Sequence, residues 1–311
     1  MSAPAVRRAE GAASLPLFFL LAYAGAWFVW VPPPLWGDEQ GGLTNLGAAS
    51  PALAAVLLTA WRARRPTSGG PGEASAGRGL WGGLVHWRVA PVWWVLCLLG
   101  PLALWTGALG LHVALGGAVT WYGDPAHPSM PNEPGQWVFG VAIVLAYVLV
   151  LSVIGEELGW RGYALPRLLA RWDPLTASMI LGGLWALWHA PLFLTPGALH
   201  SRVPVLWFVL QILGQTIVLT WVYQRTGGSV LLVSVLHAAA NTGMGVLPVL
   251  PLDAGGSTRV LWLVLGMEWL VVAVLLRRYG RDLGASGPVA VPREEGGDSA
   301  SARRPSRSDG P

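Results

Sequence analysis

The chain has 311 residues, of which 53% are hydrophobic and 12% charged, about half the charged share of an ordinary soluble domain. The net charge is +4. Its basic residues are all arginine and sit in short loops and tails rather than along a stripe, which argues against a nucleic-acid partner and suits an anionic bilayer surface. A single cysteine, Cys97, excludes an internal disulfide and a thiolate metal cluster.

A helix needs about 20 mostly apolar residues to cross a bilayer. Eight such runs are present, over residues 14–36, 43–61, 91–116, 137–157, 174–194, 203–224, 229–250 and 257–278. The first follows Arg7 and Arg8 as a signal peptide would, but it continues through Trp27, Phe28 and Trp30 to Pro32-Pro33-Pro34, and is read as a retained span. Arginines alternate between the connections. Arg62, Arg64, Arg65, Arg78 and Arg88 follow the second span, and Arg161, Arg167 and Arg171 follow the fourth. Arg225 follows the sixth, Arg277, Arg278 and Arg281 the eighth, whereas the other connections hold only Arg202 and Arg259. The positive-inside rule then places both termini in the cytoplasm. The expected fold is all-α, a polytopic bundle of about eight transmembrane helices. It comprises an N-terminal segment 1–13, a membrane domain 14–280 with its core at 140–250, and a disordered tail 281–311. Residues 79–88 mix Leu80, Trp81, Leu84, Val85 and Trp87 with His86 and Arg88, the pattern of a short helix on the membrane surface. Residues 62–80 read as a polar linker and 117–136 as an exposed loop. The arginine-only basic set and the abundance of Ala, Gly, Pro and Trp suggest GC-rich coding and a bacterial plasma membrane.

Ionisable residues within spans are expensive and mark sites. Three clusters stand out: Gly155-Glu156-Glu157-Leu158-Gly159-Trp160-Arg161-Gly162, then Trp185-Ala186-Leu187-Trp188-His189, then His237-Ala238-Ala239-Ala240-Asn241. Residues four apart share a helix face, so Glu157 can pair with Arg161 and His237 lies above Asn241. Glu156 points about 100° away from Glu157. The three alanines allow another helix to approach closely. A carboxylate can take a proton from water and return it to a leaving amine. Imidazole and amide groups can orient that water or stabilise an oxyanion. Alternatively Glu156, His189 and His237 form a candidate zinc set with one open position. No serine or cysteine nucleophile stands out. Gln211, Gln215, Thr216 and Thr220 are assigned to helix packing, and Glu268 to helix pairing or a wet crevice. His86, His112, His127 and His200 receive no role.

These motifs resemble the CPBP family of intramembrane proteases, also called the Abi or CAAX amino-terminal protease family, which includes the type 2 CAAX prenyl endopeptidases. The family pattern is Glu-Glu-x-x-x-Arg, then Phe-x-x-x-His, then His-x-x-x followed by Asn or a small residue. Here it falls on Glu156, Glu157 and Arg161, on His189, and on His237 with Asn241, with Trp185 in place of the usual phenylalanine. Ser50-Pro51-Ala52 and Trp87-Arg88-Val89 add weaker similarity. The resemblance implies a hydrolase that cuts a membrane-associated or lipid-modified peptide. Glu156 would activate water that His189 helps to position, with His237 and Asn241 stabilising the oxyanion and Glu157 and Arg161 in support. The family carries a metalloprotease name while a metal-free glutamate mechanism is also proposed for it, so one divalent metal such as zinc stays open. The non-enzymatic alternative is an immunity or scaffold protein that binds a toxin or partner. A site in the cytoplasmic half of the membrane is expected. His189 lies about 22 Å of helix beyond the start of its span, so the two motifs meet only if the fourth helix runs on past Arg161 or the fifth starts outside the bilayer.

Overall fold

The computed structural model describes residues 3–31, 44–64, 74–120, 137–195 and 198–285. Its regular structure there is helical. The helices are α1 (Ala3–Trp30), the short α2 (Thr44–Ala48), α3 (Ser50–Ala63), α4 (Ala74–Val85), α5 (Pro91–Ala114), α6 (137–169), α7 (Pro174–Trp188), α8 (Val205–Arg225), α9 (Val230–Val246) and α10 (Arg259–Tyr279). Four segments are long and apolar enough to cross a membrane: Pro91–Ala114, Pro174–Leu194, Val205–Arg225 and Arg259–Asp282. Four shorter apolar helices, Ser14–Trp30, Leu46–Arg62, Phe139–Val148 and Val230–Val246, overlap the other expected runs but are shorter than a full span. Large apolar side chains such as Leu20, Phe28, Leu99, Phe139 and Leu270 face outward, as they do where lipid replaces water. The chain is an integral membrane protein. Most of the expected loop at 117–136, the proline run at 32–34 and the tail beyond residue 285 lie outside the described residues.

Several boundaries moved, each for a local reason. The predicted second span is broken at Ala49, because Pro51 near the start of α3 cannot continue the helix begun by α2. Helix α1 begins at Ala3, within the segment expected to precede it. Helix α4, expected over residues 79–88, starts at Ala74 and ends at Val85. Helix α7 is started by Asp173, whose Oδ1 accepts the Thr176 backbone N–H at 3.0 Å and whose Oδ2 accepts the Thr176 hydroxyl at 2.7 Å. Arg281, beyond α10, donates to the same carboxylate at 3.1 Å. Burial pushes the Asp173 carboxyl up. The Thr176 side-chain and backbone hydrogen bonds, and then Arg281, outweigh it and hold the pKa at about 2.

The largest change is in α6. It does not stop at Glu157 but continues to Leu169, with wide π-helical turns at Leu149–Val153 and Trp160–Ala164 on either side of Ile154–Gly159. Such turns frequently occur at functional sites. Two glycines let α3 pack on this stretch. A Cβ on Gly159 would stand 2.5 Å from the Pro51 carbonyl carbon, and one on Gly155 would stand 3.0 Å from Ala49 Cα. The Ser50-Pro51-Ala52 segment is therefore the surface on which the Glu-Glu turn rests. Ser50 anchors it by donating to the Ala22 carbonyl of α1 at 2.8 Å.

Candidate active site

The continuation of α6 removes the depth mismatch. From Glu156 to the end of α6 is about 20 Å of helix, and from the start of α7 to His189 about 22 Å. The two helices are antiparallel across the 170–173 turn, so both residues reach the same level. A cavity of about 260 Å³ there is lined by Glu156, Trp185, His189, His237 and Asn241.

Glu156 is 5% exposed, and its Oε2 accepts the Trp185 indole N–H at 2.9 Å. Glu157 is fully buried and turns the other way. Its Oε1 accepts from Arg161 Nη1 at 2.7 Å and from His237 Nδ1 at 2.8 Å. The expected Glu157–Arg161 pair is thus present, together with a third member 80 residues away. Arg161 also donates to the Thr216 hydroxyl at 3.4 Å, and its guanidinium lies 4.4 Å from the Trp185 ring centre. Asn241 Nδ2 lies 3.2 Å from His237 Nε2. With Nδ1–H given to Glu157, that Nε2 is the acceptor. A continuous chain runs from Arg161 through Glu157 and His237 to Asn241.

His189 closes α7, its Nδ1 standing 2.8 Å from the Trp185 carbonyl. A carbonyl only accepts, so Nδ1 carries the proton and Nε2 is left as an acceptor. Around its ring pack Trp188 at 4.8 Å, Phe208 at 5.1 Å and His200 at 5.2 Å between ring centres.

Two of these residues escaped sequence reasoning. Trp185 was noted only as standing in place of the usual phenylalanine, but its indole N–H holds a Glu156 oxygen, which phenylalanine cannot do. His200 was given no role, yet it lines the cavity. Its position in the connection between α7 and α8 carries no helical periodicity that would point inward. Gln211 and Gln215 also line the cavity, in addition to packing α8.

The candidate metal set fares differently. Among the described residues, no three His, Cys, Asp or Glu side chains are placed to hold one ion. Both ring nitrogens of His237 are engaged, by Glu157 and by Asn241. Glu156, His189 and His237 share a cavity but, as arranged, do not fit a zinc ligand set, and no step is routed through a metal below.

Arg161 was counted among the loop arginines, but it is fully buried against Glu157 and marks no membrane surface. Arg167 near the end of α6, Arg171 in the turn before α7 and Arg225 at the end of α8 lie at the opposite ends of α7 and α8 from His189. The cavity takes Leu199 and His200 from the connection that holds only Arg202. The cavity and these arginines therefore lie toward opposite ends of α7 and α8.

Comparison with known proteins bears on this geometry. Residues 138–243 match the family described as type II CAAX prenyl endopeptidase Rce1-like. The protein called CAAX prenyl protease 2 of Methanococcus maripaludis is 28% identical over 188 residues, which is 58% of this chain and 65% of that relative. The chain thus spans just under two thirds of the relative's length. All three motifs fall inside the matched segment, and over residues 138–243 the chain is similar to the Rce1-like type II CAAX prenyl endopeptidases.

Proposed function

We propose that the chain is an intramembrane endopeptidase that hydrolyses a peptide bond in a membrane-associated or lipid-modified peptide by glutamate-activated water. The observation that carries the reading is the orientation of four groups around one cavity. Glu156 is held by Trp185, His189 presents Nε2 because its Nδ1 is bound to a carbonyl, and Asn241 is oriented by His237.

A water between Glu156 and His189 meets two acceptors, one for each of its protons. Glu156 takes one proton as the oxygen attacks the scissile carbonyl carbon. The His189 Nε2 holds the other and fixes the lone pair toward the carbonyl. Asn241 gives one amide N–H to His237 and has a second for the developing oxyanion. His237 holds Asn241 in place and is itself held by Glu157, whose charge Arg161 balances. Glu156 then passes its proton to the leaving amine as the C–N bond breaks. The name of the Methanococcus maripaludis relative supports a substrate with a prenylated C-terminus. The bacterial-membrane reading of the composition favours other anchored peptides or bacteriocin-type precursors instead.

Glu156→Gln keeps the size and hydrogen bonding of the side chain but cannot accept the proton. In purified protein reconstituted in vesicles, cleavage of a lipid-anchored reporter peptide followed by mass spectrometry should fall at least about 1,000-fold, with an unchanged unfolding temperature. Undiminished cleavage would remove Glu156 from the chemistry. A biological effect that survives the same substitution would favour the non-enzymatic scaffold role.

A further inference from the structure

A second cavity, of about 300 Å³, adjoins the first and shares Trp105, Gln211, Gln215 and Ala240 with it. Its walls come from α5, α8, α9 and α10 and are mostly aliphatic, including Leu96, Leu104, Val264 and Leu275. Val271, on its lining, is 36% exposed, so the chamber reaches the outward face of α10. In a bilayer that face meets lipid.

One carboxyl interrupts these walls. Glu268 is 7% exposed, and its Oε2 has no hydrogen-bond partner among the described residues. The same holds for Gln215 Nε2 and Trp221 Nε1, which belong to two other residues of the lining. Helix α8 leaves room for the carboxyl at Gly214, where a Cβ would stand 3.2 Å from the carboxyl carbon of Glu268. Gln215 is the next residue, so a donor and an acceptor of the chamber lie at one level of α8. Glycine within a helix is destabilising, and here the space it leaves is taken by the carboxyl. Orphaned polar groups in apolar surroundings are costly. A partner that supplies both a donor and an acceptor removes that cost, and a site with such groups rejects an analogue lacking them.

We infer that this chamber is a binding site for an amide group on an apolar stem. The amide N–H goes to Glu268, the amide carbonyl accepts from Gln215 or Trp221, and the stem lies along the aliphatic walls. Two sources share this chemistry: a glutamine side chain of the peptide being cut, reaching across the shared wall, and a free fatty amide entering past Val271. The first source rests on the protease reading; the binding itself does not.

The test uses full-length Glu156→Gln protein in lipid nanodiscs, titrated with dodecanamide, methyl dodecanoate and dodecylamine. The ester lacks the donor and the amine lacks the carbonyl. Dodecanamide should bind at least tenfold more tightly than either, and Glu268→Leu should reduce that preference to within twofold. Equal binding of the three probes, or a preference that persists in Glu268→Leu, overturns the proposal and leaves the polar groups to water. If Glu268→Leu does not fold, Gly214→Ala, which crowds the carboxyl, reads out the same loss. On the active protein, reporter peptides with glutamine or methionine at successive positions separate the sources. A position where glutamine is favoured in the wild type and not in Glu268→Leu assigns the site to substrate. No such position, with dodecanamide binding intact, assigns it to a free amide. If no peptide is cut at all, the protease reading fails while the binding result stands.

Discussion

Glu157→Gln isolates what the buried charge pair does. Glu157 and Arg161 are both fully buried and 2.7 Å apart. Glutamine can still accept from His237 through its carbonyl oxygen, so the path to Asn241 survives. What is lost is the countercharge of Arg161, whose Nε already lacks a hydrogen-bond partner among the described residues. Leaving one partner of a buried pair uncompensated costs about 3–5 kcal/mol. At roughly 2–4 °C per kcal/mol for a large chain, the unfolding temperature should fall by about 6–20 °C. The double variant Glu157→Gln/Arg161→Met removes both charges and keeps the acceptor for His237. The pair is not fully satisfied, since Glu157 Oε2 also lacks a partner among the described residues, so its removal as a unit should cost little. The double variant should regain at least about 2 kcal/mol over the single one. The assay is thermal unfolding of the purified protein in one detergent, followed by tryptophan fluorescence, for wild type, both singles and the double. A double variant no more stable than Glu157→Gln would refute the view that the cost is that of an unpaired guanidinium.

Other outcomes follow from single contacts. Trp185→Phe deletes the donor to Glu156 Oε2, and a hydrogen bond to a charged group is worth about 1.5–3 kcal/mol. Peptide turnover should fall roughly 10- to 100-fold in kcat with KM within about threefold. Asn241→Ala should cost about 100- to 1,000-fold in kcat, the scale of one oxyanion donor, with little change in unfolding temperature. Asp173→Ala removes the α7 cap and should destabilise by about 1 kcal/mol near neutral pH. The Asp173 pKa is lowered from 3.8 to about 2, so its contribution is present above pH 3.8 and lost as pH falls through about 2. The gap in unfolding temperature between wild type and variant should close over that window.

The apolar runs and the three polar motifs determined much about this protein before any tertiary contact was considered. A run of some 20 apolar residues has few stable states other than a buried or lipid-facing helix, because backbone polar groups in hydrocarbon must be satisfied within the segment. The i, i+4 spacings likewise reported the Glu157–Arg161 and His237–Asn241 pairs, since both are contacts within one helix turn. The tertiary structure alone decided how the motifs meet. The link from Glu157 to His237 crosses 80 residues, and nothing local specifies it. That α6 runs on past Arg161 was legible only as one of two ways to bring Glu156 and His189 level; the extension to Leu169 was decided by packing, because Arg161 looks like a loop residue until the pair that buries it is seen. Trp185 stood out in sequence only as a substitute for phenylalanine; the arrival of Glu156 from α6 turns its indole into a hydrogen-bond donor in the site. Glu268 waited on the same kind of information. Its position in the last span marked it as costly, but the glycine that accommodates it and the glutamine beside it lie on another helix. Helix periodicity reports which residues share a face, and only packing reports which faces share a cavity.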